Sequence, residues 1–95
     1  MENYQFNMEK RSRLNIIYDM LTTIMNNHNY IKKTPLQRKV NLSTRRFNEY
    51  YTELIQKKFI IEITKDNIYV SLIERGFNFI NKYSSIKSFL DEFDI

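Results

Sequence analysis

Six cations crowd the stretch from residue 32 to residue 49: Lys32, Lys33, Arg38, Lys39, Arg45 and Arg46. Thr34, Gln37, Ser43, Thr44 and Asn48 lie among them, and no acidic residue falls between Asp19 and Glu49. The donors of a guanidinium match a guanine edge bidentately, and a carboxamide matches adenine. Lysines and hydroxyls suit phosphate oxygens. The chemistry this set can do is recognition of a polyanion.

Catalysis finds little support. His28 is the single histidine and sits in a polar run, and Gly76 is the single glycine, so no glycine-rich phosphate loop exists. Asp91, Glu92 and Asp94 cluster near the C-terminus and read as a frayed acidic end, not a metal site. Cysteine is absent, which excludes disulfides and thiolate metal sites. The expectation is a non-enzyme without cofactor or metal.

Charge is also distributed unevenly. Residues 9–58 hold eleven Lys and Arg against four Asp and Glu, whereas residues 59–95 hold four against six. A one-sided basic field attracts polyanions. No apolar run approaches the roughly 20 residues that span a bilayer. The opening "MENYQFNMEKRSR" has no apolar h-region and does not read as a signal peptide. A cytoplasmic, nucleoid-associated protein is expected, with no membrane or small-molecule partner.

The elements that must position the cations follow from periodicity. Residues 1–8 read as a loose tail in which Tyr4 and Phe6 could form a short arm, and residues 9–95 as one domain. Leu14, Ile17, Tyr18, Leu21, Ile24 and Met25 recur at spacings of three and four, predicting an amphipathic helix over 9–27 that Asn26, Asn27 and Asn29 end. In "TPLQ" Thr34 reads as an N-cap, Pro35 as the first helical residue and Gln37 as the capping-box partner. Asn41 suits a left-handed exit from that short helix. Ser43 then caps a third helix, 43–58, with Phe47, Tyr51, Leu54 and Ile55 facing inward and Leu42 closing the turn.

After residue 58 the period shifts towards two. The runs 60–64 and 68–72 around "KDN" predict a hairpin with Asn67 at positive φ. A long last helix, 73–93, carries Phe79, Tyr83, Ile86, Leu90 and Phe93 at spacings of 4, 3, 4 and 3, a heptad seam. Phe77, Ile80 and Phe89 occupy another face. One apolar face is expected to pack on the domain and the seam on a second copy of the chain.

Helix, short helix, tight turn, helix, hairpin and long helix is the order of a winged helix-turn-helix: mainly α (α+β), with a two-stranded wing. In that arrangement Ser43, Thr44, Arg45, Arg46, Asn48 and Glu49 fall at the end of the helix that enters the major groove. Positions 44, 45 and 48 should point outward. Lys32, Lys33, Thr34, Gln37, Arg38 and Lys39 would lie along the phosphate backbone, and Lys65 and Asn67 would sit at the wing tip. One feature of the third helix looks unfavourable. Arg45 and Arg46 stand in its first turn, where the dipole disfavours cations and where a capping box would have Glu or Gln. That penalty is a few tenths of a kcal/mol when exposed, against about 1–3 kcal/mol for a good base pairing. A phosphate or guanine would supply the missing anion.

"RLNIIYDMLTTI", "NLSTRRFNEYYTELIQKKFI" and "IYVSLIERGFNFINKYSSIKSFLDEF" resemble the small archaeal winged helix-turn-helix predicted transcriptional regulators, relatives of the dimeric ten-kilodalton archaeal DNA-binding proteins. The resemblance covers about residues 11–94. The family's strand, Leu-Thr-x-x-Gly start and following Tyr and Phe-Leu pair read here as Leu72-Ile73-Glu74-Arg75-Gly76, Tyr83 and Phe89-Leu90. Ile73 in place of Thr removes a capping hydroxyl, and the hairpin lacks the frequent glycine. The resemblance implies double-stranded DNA binding through the third helix and the wing, and antiparallel homodimerisation through the last helix. A sequence-specific transcriptional regulator is expected. The alternatives are a non-specific architectural chromatin protein of the same fold, and a protein-interaction module whose basic face meets an acidic partner, with Tyr50 beside Tyr51 exposed for it.

Overall fold

A computed structural model describes residues 12–95; the expected tail 1–8 and residues 9–11 of the expected first helix lie outside them. The first helix, α1, spans Arg13–Asn26. Ser12 precedes it, and its hydroxyl oxygen accepts from the Asn15 backbone N–H at 3.1 Å. Its buried residues are Ile16, Ile17, Met20, Leu21 and Ile24. The inward stripe is thus rotated from the expected one, and Leu14 is half exposed.

Asn27, His28 and Asn29 turn the chain, the last two with φ of 63° and 55°. Asn29 then behaves as an extra strand residue. Its Oδ1 accepts from Leu72 N–H at 2.7 Å, its Nδ2 donates to Leu72 O at 3.3 Å, and its carbonyl accepts from the Ser71 hydroxyl at 2.7 Å. This clamp brings Tyr30 and the short strand β1, Ile31–Lys32, beside the hairpin.

The hairpin strands are β2, Ile60–Thr64, and β3, Ile68–Leu72, at the expected positions. The sheet has three antiparallel strands in the order β1-β3-β2, not two. Ile31 pairs with Val70, and Ile60 with Leu72. All four are buried, so the sheet turns one apolar face to the core. The turn contains no residue at positive φ, so Asn67 does not take the left-handed conformation expected of it. Lys65 N–H instead donates to Asn67 O at 2.9 Å, which closes a three-residue loop.

β1 also resets the second helix. Lys32, held extended by pairing with Tyr69, leads directly into α2, Lys33–Val40. Thr34 is therefore inside the first turn and not the cap, and Pro35 is the third helical residue. Proline is tolerated there because first-turn N–H groups have no intrahelical acceptor. Asn41 ends α2 at φ 57°, as expected.

The third helix, α3, is Thr44–Gln56 with Ser43 as N-cap. Lys58 follows at φ 66°. Lys58 N–H donates to Ile55 O at 3.1 Å and Phe59 N–H to Leu54 O at 3.0 Å, a Schellman closure. Glycine usually holds this position, and a side chain there costs roughly 1 kcal/mol.

The last helix, α4, is Glu74–Glu92. Ile73 precedes it without a side-chain cap, but its backbone N–H donates to Phe59 O at 3.2 Å. The C-terminal acidic run is not frayed. Asp94 takes φ 61°, Asp94 N–H donates to Asp91 O and Ile95 N–H to Leu90 O, a second closure of the same kind. None of the helices among the described residues is long and apolar enough to cross a membrane.

α4 passes so close to Phe59 that only glycine fits at position 76. A methyl there would overlap the Phe59 carbonyl oxygen and press on Leu72 Cδ2 at 3.1 Å. Gly76→Ala should gain up to about 1 kcal/mol of helix propensity but lose more to overpacking, which typically costs about 1–3 kcal/mol. A net loss of at least about 1 kcal/mol is expected by urea unfolding. An unchanged or raised midpoint would show that α4 can shift away freely.

Candidate nucleic-acid interface

The inward stripe of α3 decides where its other residues point. Phe47 and Leu54 are fully buried and Tyr51 is 4% exposed. Full burial of such side chains contributes about 1.5–3 kcal/mol each, an order of magnitude more than two misplaced first-turn cations cost. Ser43 Oγ accepts from Arg46 N–H at 3.2 Å, worth about a further 1 kcal/mol. The helix therefore forms, and Ser43, Thr44, Arg45, Arg46, Asn48 and Glu49 all remain exposed.

Within this set Arg45 Nε meets Glu49 Oε2 at 3.4 Å, with side chains 89% and 61% exposed. An exposed pair of this type is worth a few tenths of a kcal/mol, so a ligand can replace it easily. Thr44 is less free than expected. Its hydroxyl accepts from Gln37 Nε2 at 2.9 Å, and the two helices are tied across the turn. Gln37, expected as a capping partner and a phosphate contact, is thus a brace between α2 and α3.

Lys32, Thr34, Arg38 and Lys39 are exposed, and Lys33 is half-buried. The ammonium of Lys33 lies 4.4 Å from the centre of the Tyr51 ring. The start of α2 and the wing come together: Lys32, Lys33, Thr34 and Pro35 share a cleft of about 170 Å³ with Asn67 and Ile68. Lys65, at the tip, is exposed. The sequence could place the wing and α2 only in separate segments; β1 makes them neighbours.

Two contacts that the sequence did not reveal hold α3 in place. The Tyr51 hydroxyl donates to Glu62 Oε2 at 2.6 Å and joins α3 to β2. Burial, and then this bond, pushes the phenol well above its ordinary range. At the helix's far end Glu53 accepts from both Arg13 and Lys57, the latter at 2.8 Å. Arg13 also lies 5.9 Å from the Tyr50 ring, so Tyr50 is half-covered rather than free. Arg13 shares a small cleft with Arg46, Glu49 and Tyr50 and so extends the basic face onto α1. Nothing local in the sequence marks it, because its partner is forty residues away.

The expected dimer seam is divided along the helix instead of around it. Phe79 packs edge-on against Phe59 at 5.7 Å and stacks on Tyr83 at 5.7 Å. Tyr83 meets Tyr18 at 4.9 Å and donates to Asn15 Oδ1. The Tyr18 hydroxyl is 3.0 Å from Ser84 Oγ. Phe79 and Tyr83, expected to face a second copy, thus pack within the domain, Phe79 on Phe59 and Tyr83 on α1. Phe77 and Ile80 also pack on the core, but Phe89, expected to do so, is exposed with Ile86 and Phe93, each over half accessible, and with Leu90.

Known proteins agree with this architecture. The winged helix-turn-helix family profile matches residues 10–91. F93 from STIV, described as a winged-helix DNA-binding protein, superposes with a TM-score of 0.71 at 20% identity, over 81% of this chain and 90% of that one. A MarR family transcriptional regulator from Silicibacter pomeroyi DSS-3 superposes with a TM-score of 0.62 at 14% identity, over 90% of this chain and 67% of that one. No curated protein matches the sequence.

The Glu53 brace makes a pH prediction. Hydrogen bonds from Arg13, then Lys57, hold the Glu53 carboxyl below its usual value, against a smaller opposing effect of burial. A depressed carboxylate stabilises fully above its unfolded value, near pH 4.3, and the contribution is lost as pH falls through the lower folded value. Glu53→Gln should therefore lower the urea midpoint at pH 7 and flatten its fall below about pH 4.3. Parallel pH curves for the two proteins would show that the brace contributes nothing.

Proposed function

The chain belongs to the winged helix-turn-helix family, and on that premise we propose that it is a sequence-specific, DNA-binding transcriptional regulator acting on the nucleoid as a homodimer. It is a binding protein and not an enzyme. The observation that carries the reading is the outward edge of α3: Arg45 and Asn48 are exposed at its N-terminal end while Phe47 and Tyr51 anchor the opposite side. Those two side chains have the donor and acceptor spacing for guanine and adenine edges. Lys32, Lys33 and Thr34 at the start of α2, and Lys65 and Asn67 on the wing, flank them as phosphate contacts that fix register.

Dimerisation is assigned to the outer part of α4. Ile86, Phe89, Leu90 and Phe93 are exposed on a helix about 28 Å long by its 19 residues. Ser84, Ser85 and Ser88 leave an open cleft beside Phe89 that admits a partner side chain. Two copies joined there would present paired α3 helices to half-sites about 34 Å apart, or a multiple of that.

Arg45→Ala should flatten the preference at one or two base positions, a loss of about 1–3 kcal/mol on the preferred site only. Lys32→Ala should weaken all duplexes alike and reduce the log–log salt slope by about 0.9. Titration of promoter-derived and random duplexes at several salt concentrations measures both. Equal loss on every duplex with Arg45→Ala would favour architectural binding, and no affinity at low salt would move the basic face to a protein partner.

A second measurement addresses α4. Ile86→Glu with Phe93→Glu changes only exposed positions, so the monomer should keep its unfolding midpoint. Sedimentation should shift from dimer to monomer, and operator affinity should fall by an order of magnitude or more as the second half-site contact is lost. A monomeric wild-type chain with full operator affinity would overturn the dimer.

A further inference from the structure

On the side of α3 away from its N-terminal end, α1, the exit of α3 and the start of α4 enclose a cleft of about 370 Å³. Its floor is apolar: half-exposed Leu14, and the partly buried rings of Phe59 and Phe79. Its rim is cationic. Arg13 and Lys57 are there, but both are already engaged by Glu53, the only acidic group in the lining. Lys58 and Arg75 are also on the rim, and neither forms an ion pair among the described residues.

We propose that this cleft binds a small aromatic carboxylate, with its ring on Leu14 and Phe79 and its carboxylate between Lys58 and Arg75.

Three observations converge on that class of ligand. The lining combines an apolar floor with a few placed polar groups, the usual make-up of a small-molecule site. Lys58 and Arg75, neither of them in an ion pair, line the same cleft as that floor, so a ligand must be both apolar and anionic to satisfy both parts of it. Arg75 lies with its guanidinium 5.2 Å from the centre of the Phe59 ring. Stacking there pre-orients a planar fork for bidentate contact with a carboxylate.

Backbone geometry supports the same assignment. Lys58 occupies the left-handed position that closes α3, where glycine or asparagine is the ordinary residue. Its φ of 66° is fixed by the closure bonds from Lys58 and Phe59, so the direction in which its side chain leaves the backbone is fixed as well. A strained non-glycine residue held in place by its surroundings is a recurrent feature of ligand clamps. A bare phosphate would leave the apolar floor wet, and a neutral aromatic would leave the two cations unmatched. Apart from Arg13 on its rim, the site is separate from the surface assigned to DNA, and its test does not depend on that assignment.

The probe is 1-naphthoate, titrated into the full chain by calorimetry and by two-dimensional NMR. The neutral isostere 1-naphthalenemethanol and acetate serve as controls. Saturable one-to-one binding is expected, with shifts confined to Leu14, Lys58, Phe59, Arg75 and Phe79. The alcohol should bind at least about tenfold more weakly, since it lacks the charge-assisted bonds, and acetate should not saturate. Lys58→Gln with Arg75→Gln should weaken naphthoate at least about tenfold without affecting the alcohol. Leu14→Asn, at a half-exposed position outside the core, should weaken both aromatic probes and provides a folded variant if the double substitution perturbs α4. Equal affinity for acid and alcohol, shifts centred elsewhere, or a double variant that binds naphthoate as the parent does would overturn the proposal.

Discussion

The burial of Tyr51 is the constraint on which the outward face of this protein depends. Its ring stacks on Phe47 at 5.4 Å, its hydroxyl reaches Glu62 on β2, and the ammonium of Lys33 lies 4.4 Å from its centre. One side chain therefore fixes the rotation of α3, its distance from the wing and the start of α2. Rotation is the critical quantity. A helix turns 100° per residue, so a shift of one position in the buried stripe would take Arg45 and Asn48 out of the exposed edge. Burial energies of a few kcal/mol per side chain exceed anything the exposed charges contribute. The basic face is thus positioned by the core and not by its own interactions.

What could be read from the sequence was local. The hairpin strands, the Ser43 cap and the left-handed Asn41 all depend on residues within a few positions of one another, and all three are found where the pattern puts them. β1 was not legible, because two residues make no periodic pattern and their partners Val70 and Tyr69 are 39 and 37 positions distant. Its omission caused the next misreading. Thr34-Pro35-x-Gln37 has the composition of a capping box, but strand pairing delivers the backbone of Lys32 already extended, so α2 begins earlier and Gln37 turns to Thr44. Of the cations of the candidate site, Lys32, Arg38, Lys39, Arg45, Arg46 and Lys65 remain exposed after these shifts, whereas Lys33 is half-buried against Tyr51. The partners that brace α2 and α3, Glu62, Glu53 and Gln37, do not follow from spacing.

A chain with one glycine must close its turns by other means. His28, Asn29, Asn41, Lys58 and Asp94 all adopt positive φ, and the single glycine is spent where a helix crosses a carbonyl. The turns at His28 and Asn29, at Lys58 and at Asp94 are each closed by backbone hydrogen bonds. Asn29 shows how far this goes. A residue that reads as a helix terminator supplies three hydrogen bonds to the end of β3 and so ties the first helix to the wing.

The last helix shows why a seam cannot be assigned from spacing alone. Phe79, Tyr83, Ile86, Leu90 and Phe93 lie on one stripe, and a heptad argument treats them as equivalent. They differ in what α1 can reach. α1 begins at Arg13, and its first two turns carry Asn15 and Tyr18, which reach Tyr83 and Ser84. Beyond Ser84 the contact between described residues of α1 and α4 is reduced to the Lys87 ammonium 5.7 Å from the centre of the Tyr18 ring, and every residue from 85 onward is exposed. Apolar side chains left over after intrachain packing are the ones available to another molecule, and they begin at Ile86. Shortening the available seam in this way leaves fewer buried side chains to offset the roughly 4–15 kcal/mol cost of association, but Phe89 joins them from the second face and restores part of the loss. The aromatic ladder from Phe59 through Phe79 and Tyr83 to Tyr18 connects that outer seam to the domain. The Arg13–Glu53 contact in turn joins α1 to α3.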